Sequence, residues 1–178
     1  MRMKHITEFS NFIFEKLILE VGEGSAKAYK YTQYFNMAAE DDSAERTVLF
    51  KTEDGDEYEV RIQAFWGDHY YARDVYGGPY FTIDFFVIPE DDGFGDGTQV
   101  VNKGRLFSVM ATIVKAAKEF MDDIDHESKN IKTMKVVPSK TEGFDDHRRA
   151  KLYMAYIKRQ LPVKSVKYDG NDIVAKIR

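Results

Sequence analysis

RLFSVMATIVKAAKEFMDDI, residues Arg105 to Ile124, carries apolar side chains at Leu106, Val109/Met110, Ile113, Ala117, Phe120 and Ile124. Steps that alternate between three and four put these on one face of a helix. Lys115, Lys118, Glu119, Asp122 and Asp123 fall on the opposite face. Ala111, Ala116 and Ala117 favour the helical state, and no Pro or Gly interrupts the run. Gly104 precedes it and a polar, acidic segment follows. The spacing predicts an amphipathic helix that needs a sheet or other helices to cover its apolar stripe.

Immediately upstream, Tyr80 to Ile88 (YFTIDFFVI) is apolar on both faces, the pattern of a central strand covered on both sides. Asp84 is its one charged residue, and a carboxylate placed there must find donors or shift its pKa. Between strand and helix lies PEDDGFGDGTQVVNKG, a glycine-rich connection. Further upstream, RTVLFKT and EYEVRIQAFW alternate apolar and polar residues around Glu53-Asp54-Gly55-Asp56, which predicts a hairpin with positive φ at its turn. AYKYTQYFNM (28–37) reads as a strand. Gly67 to Pro79 reads as a tyrosine-bearing loop. Residues 7–21 carry a broad apolar stripe (Phe9, Phe12, Ile13, Leu17, Val21) closed by Gly22 and Gly24, an N-terminal amphipathic helix within 1–24.

Downstream, Ile131 to Pro138 is a strand. Asp145-Asp146 cap a second helix, HRRAKLYMAYIKRQL, with its stripe at Ala150, Tyr153, Tyr156/Ile157 and Leu161, and Pro162 ends it. VKSVKY and DIVAKIR close the chain as a hairpin around Asp169-Gly170-Asn171. The expected order is helix, strand, hairpin, strand, helix, strand, helix, hairpin. That order predicts one α+β domain over 1–178, with an α+β body from residue 28 onward: a mostly antiparallel mixed sheet with about three helices on its faces.

A chain of 178 residues with 43% hydrophobic and 14% aromatic content is long and apolar enough for a real core. It has no cysteine, which excludes disulfides, thiolate metal sites and cysteine nucleophiles. A net charge of −4 argues against a nucleic-acid surface. No apolar run is long enough to span a membrane, and Glu8, Glu15, Lys16 and Glu20 break up any signal-peptide centre at the start. These features fit a protein that stays in the cytoplasm or is assembled there.

Strand, glycine-bearing turn, amphipathic helix, strand, helix bearing Ala150-Lys151-Leu152-Tyr153, strand pair: this order resembles the Gcn5-related N-acetyltransferase fold. The resemblance implies a strand that parts from its neighbour to admit acetyl-CoA, with the turn Asn102, Lys103, Gly104 and Arg105 on the pyrophosphate at a helix N-terminus. It also implies Tyr153 as the acid that protonates the departing thiolate, with Asp84 as the base for the amine. From Tyr58 to Arg178 the chain is similar to small uncharacterised proteins of tailed bacteriophages. The matching residues are Phe107, Ser108, Thr112 and Ile113, then Arg149, Ala150, Lys151, Leu152 and Tyr153. That similarity implies the cytoplasm of an infected host, or a virion, as its place.

The turn departs from the acetyltransferase form. A single glycine stands at the helix, and Asp91, Asp92 and Asp96 bring negative charge that repels a pyrophosphate. A tyrosine on an amphipathic helix is most often a core aromatic. His5, His69, His126 and His147 are scattered with no His-x-x-x-His pair, so no zinc site is expected. The loop Glu90 to Gly97 lacks the closing Glu of a calcium loop. Gly-x-Ser-x-Gly is absent. The preferred expectation is a non-catalytic protein that binds a protein partner or itself, with no cofactor. Its expected interface material includes Tyr70, Tyr71, Tyr76 and Tyr80. The alternative is an acetyl-CoA-dependent N-acetyltransferase.

Overall fold

The computed structural model describes residues 26–38, 42–75, 77–88, 106–137, 146–169 and 172–178. Four strands come first: β1 (Tyr31–Ala38), β2 (Ser43–Lys51), β3 (Glu57–Phe65) and β4 (Tyr80–Ile88). Then follow α1 (Leu106–Asp123), β5 (Thr133–Val137), α2 (Asp146–Gln160), β6 (Val163–Asp169) and β7 (Asp172–Ile177). The expected N-terminal helix within 1–24 lies outside the described residues, as do Asn102, Lys103, Gly104 and Arg105, Tyr76, the acidic loop 90–97, His5 and the side chain of His147. From residue 28 on, the order of strands and helices is the one the sequence predicts.

Among the described residues, seven strands make one sheet in the order β1-β2-β3-β4-β5-β7-β6. Every neighbouring pair is antiparallel except β4 and β5, which α1 joins in parallel. The fold is thus α+β with a mostly antiparallel mixed sheet. Consecutive strands pair wherever a short turn allows it, and the one parallel pair is bridged by the long connection that parallel pairing requires.

Period-two alternation fixes which face of each strand is buried. Val48 and Phe50 of β2, Tyr58, Val60, Ile62 and Ala64 of β3, and Phe81, Ile83, Phe85 and Val87 of β4 are all buried and adjoin in register. Met134 and Val136 of β5 with Ile173 and Ala175 of β7 continue that layer. Both α-helices lie over it, and a single core cluster joins them to the sheet. The α1 stripe is wider than the simple three-four spacing predicts. Thr112, Val114, Ala116 and Met121 are buried as well; α1 packs against α2 in addition to the sheet, and Tyr29 lies against Thr112. Thr112 can be buried because its hydroxyl donates to Ser108 O at 2.7 Å and accepts Tyr29 N at 2.8 Å.

On the opposite face of β4, Tyr80 and Thr82 are buried while Asp84, Phe86 and Ile88 are only partly covered. Coverage on both sides of β4, as the apolar run predicts, is therefore complete at its start and partial toward its end. At the start, the loop after β3 folds back over this face. Phe65 stacks on Tyr80 at 5.4 Å and meets His69 at 4.5 Å and Tyr71 at 5.3 Å. A single π turn, Tyr71–Val75, lies in this loop. Tyr70 and Tyr71 are exposed as expected; Tyr80 is not, because Phe65 and this loop cover it.

Candidate functional site

The ladder between β4 and β5 runs from Tyr80↔Thr133 to Asp84↔Val137 and stops there among the described residues. The next residue in sequence, Pro138, has no N–H with which to extend it. Phe85 to Ile88 continue with β3 as their strand partner, Phe85 beside Val60 and Val87 beside Tyr58. Among the described residues this end of β4 has no parallel partner.

Helix α2 delivers Tyr153 to the same place. Its ring meets Phe85 edge-on, with centroids 5.5 Å apart and planes at 81°. One turn further on, Tyr156 donates its hydroxyl to Phe107 O at 3.1 Å, which ties α2 to the first turn of α1. Burial pushes the Tyr156 phenol upward. From the other side an aromatic stack reaches in: Tyr29 on Phe50 at 5.6 Å, and Phe50 on Tyr58 at 5.1 Å, nearly parallel. The Tyr58 phenol is pushed up to about 12, first by burial and then by the charges of Asp56, Tyr153 and Tyr29. Phe85 and Tyr153 are each 6% exposed, and Tyr58 and Val87 are buried with them. The groups around the end of β4 are packed against one another.

Asp84 lies elsewhere. It alternates with Phe85 along the strand, so it projects from the face that carries no described α-helix, opposite Arg61 of β3. Burial raises its pKa; Lys135 and Arg61 oppose that, and Asp172 adds to it. Lys135 in turn holds Asp172 at 2.9 Å. The sheet itself separates Asp84 from Tyr153, so the structure does not bring the two together.

The described histidines have local roles. His69 accepts Tyr71 N at 3.2 Å through Nδ1 and stacks on the Tyr71 ring, whereas His126 Nδ1 lies 3.3 Å from Met121 O. Among the described residues no group of three or more His, Asp or Glu side chains is placed to hold a metal. No helix among them is long and apolar enough to cross a membrane.

Two groupings were not singled out from the sequence. One is the Tyr29–Phe50–Tyr58 stack, which joins residues from three separate segments. The other is Arg46, buried under α1. Its signal was present, since Arg46 shares the parity of Val48 and Phe50 on β2. No family model matches the chain, and neither the curated proteins nor the solved structures contain a match.

Proposed function

We propose that this chain is a non-catalytic protein-binding protein on an acetyltransferase-like scaffold, of the phage-encoded kind its second half resembles, acting in a virion or on a host factor. The observation that carries the reading is the packing at the end of β4. Tyr153, the acid that the resemblance implies, is buried edge-on against Phe85, and the candidate base Asp84 lies across the sheet from it. General acid–base work on one substrate needs both groups within reach of one reacting centre. Exposed apolar side chains elsewhere supply contact surface: Tyr34, Phe35 and Met37 on β1, and Tyr70, Tyr71 and Val75 in the loop after β3.

A second reading, an acetyl-CoA-dependent N-acetyltransferase, is favoured by one feature. What supports it is a sheet with one parallel pair, β4 and β5, whose described ladder ends at Asp84↔Val137 while β4 runs on. Under it Tyr153 is the acid, and Asn102, Lys103, Gly104 and Arg105 hold the pyrophosphate. Titration with acetyl-CoA, followed by thermal unfolding, separates the two. A ligand of the native state raises the melting temperature progressively by mass action, and the binding-protein reading expects no rise. A concentration-dependent rise that coenzyme A also gives, and ATP does not, would establish the cofactor site instead.

A further inference from the structure

The two edges of the sheet are built differently. The β6 edge, VKSVKYD, carries Lys164, Lys167 and Asp169, follows Pro162, and has a register irregularity between Val163 and Ser165. Charge, proline and bulges are the usual devices that stop a strand edge from pairing with another chain. The β1 edge, YTQYFNMA, has none of them. It runs in regular register along β2 for all eight residues, from Tyr31↔Phe50 to Ala38↔Ser43. Six consecutive residues, Thr32 to Met37, are exposed, with Tyr34 at 66%, Met37 at 47% and Phe35 at 43%. Among the described residues no strand lies on its outer side.

Its flanks have opposite charge. Exposed Lys27 and Lys30 stand before β1, and the acidic run Glu40-Asp41-Asp42 follows it in sequence. An antiparallel copy of the same strand brings the lysine end of one chain beside the acidic end of the other, twice, about a two-fold axis. A parallel copy would set like charges together.

We infer that β1 pairs antiparallel with β1 of a second copy of this chain, which extends the sheet across a two-fold dimer. The interface is isologous, and the axis runs normal to the sheet. Residues facing one another across it must then share parity, so the register centres on Tyr34 or on Phe35. In either register both copies carry α1 and α2 on the same side of the joined sheet. Backbone hydrogen bonds supply the pairing, and Tyr34, Phe35 and Met37 supply apolar contact on both faces. This names the partner for the protein-binding role proposed above and rests on that reading.

Sedimentation analysis of the full chain tests it. The expected mass is twice 20.6 kDa, dissociating on dilution. Tyr34→Lys sets like charges directly opposite each other, or diagonally across the axis if Phe35 is the centre, and should weaken the dimer by at least about tenfold while leaving circular dichroism and the melting curve of the monomer unchanged. Because the chain has no cysteine, single-cysteine variants report the geometry directly. A short bis-maleimide should join two copies of Tyr34→Cys and leave Ser165→Cys, on the β6 edge, uncrosslinked. A monomeric wild type, a dimer that survives Tyr34→Lys, or equal crosslinking of both cysteine variants would overturn the inference. These readouts do not depend on acetyl-CoA. A cofactor response therefore removes the non-catalytic reading without touching the dimer, and a monomer removes the dimer without reviving the cofactor.

Discussion

Arg46 on β2 reaches across the core to Asp123 at the last turn of α1, pairing a buried guanidinium with a half-exposed carboxylate. The cation lies beside two rings that meet edge-on, 5.1 Å from the centre of Phe35 and 5.7 Å from that of Phe120. Its Nε and Nη1 have no hydrogen-bond partner among the described residues. A buried pair satisfied at one nitrogen contributes less to stability than its geometry suggests; removing the half-exposed carboxylate strands a buried cation, whereas removing the cation leaves a carboxylate that water solvates. Asp123→Ala should therefore lower stability by about 2 kcal/mol, and Arg46→Met should be neutral or stabilising. In the double variant the loss from Asp123→Ala should disappear. Urea unfolding midpoints of the three variants check this, and an Arg46→Met that unfolds earlier than Asp123→Ala refutes it.

Gly67 closes the β2–β3 pair at the end opposite its turn. Its φ is +54°, and a Cβ there would run into the carboxylate of Asp42. That carboxylate accepts Asp68 N at 3.1 Å, and Asp42 O accepts Trp66 N at 2.9 Å. Gly67→Ala should cost about 1–3 kcal/mol, from the left-handed backbone and from displacement of Asp42. The same substitution at Gly77, whose φ of +66° carries the backbone cost with nothing within 4 Å, should cost less. Comparing the two by thermal unfolding isolates the contribution of the Asp42 contact.

The fold holds the Asp84 carboxyl above its ordinary value of 3.8 because burial disfavours the charged form more than Lys135 and Arg61 favour it. A raised acid binds its proton more tightly folded than unfolded. Its contribution is therefore present at pH below the ordinary value and is lost as the pH rises through the folded value. Asp84→Asn should unfold at higher urea than the wild type at pH 7, and the difference should close as the pH falls below about 4. A gap that stays constant across that range would assign the effect to packing.

Tyr58 makes the corresponding alkaline case. Its phenol is held near 12 in the fold against 10 when unfolded. Stability present at neutral pH should therefore fall as the pH rises from 10 through 12. Tyr58→Phe should flatten that decline. The check is the slope of the unfolding midpoint from about pH 10 to about pH 12, with tyrosinate absorbance read in parallel.

Phe85 supports Tyr153 at the end of β4. Phe85→Ala should cost about 3–5 kcal/mol by opening a cavity between β4 and α2, whereas Tyr153→Phe keeps the edge-on contact and should cost under about 1.5 kcal/mol. Thermal or urea unfolding reads both. Equal losses would mean that the Tyr153 hydroxyl, and not its ring, holds the site.

Much of this architecture was legible in the chain because each element carries its own period. The step of three and four residues in Leu106 to Ile124 and the alternation in Val48 to Ala64 leave one assignment each. Asp54-Gly55 places the hairpin turn, where Gly55 adopts a φ of +94°. What was not legible depends on neighbours distant in sequence. The burial of Tyr80 needs Phe65 and the loop at Tyr71, and the width of the α1 stripe needs α2 and Tyr29. The separation of Asp84 from Tyr153 follows from strand parity only once α2 is known to share a face with α1. Both residues read as site candidates in one dimension, and the sheet between them is visible only in three.

The seam between β4 and β5 is five residue pairs long, and every other join in the sheet is a hairpin or a strand laid beside its hairpin. Among the described residues the sheet is therefore a four-stranded meander joined through β5 to the β6–β7 hairpin, with α1 and α2 packed over it and on each other. The meander can zip from contacts close in sequence, while β5 must wait both for the 106–123 helix that returns it to β4 and for the passage through α2 that brings β7 beside it. Loosening during unfolding should start at β5, whose described ladders to β4 and to β7 are the two shortest in the sheet, and spread outward from it.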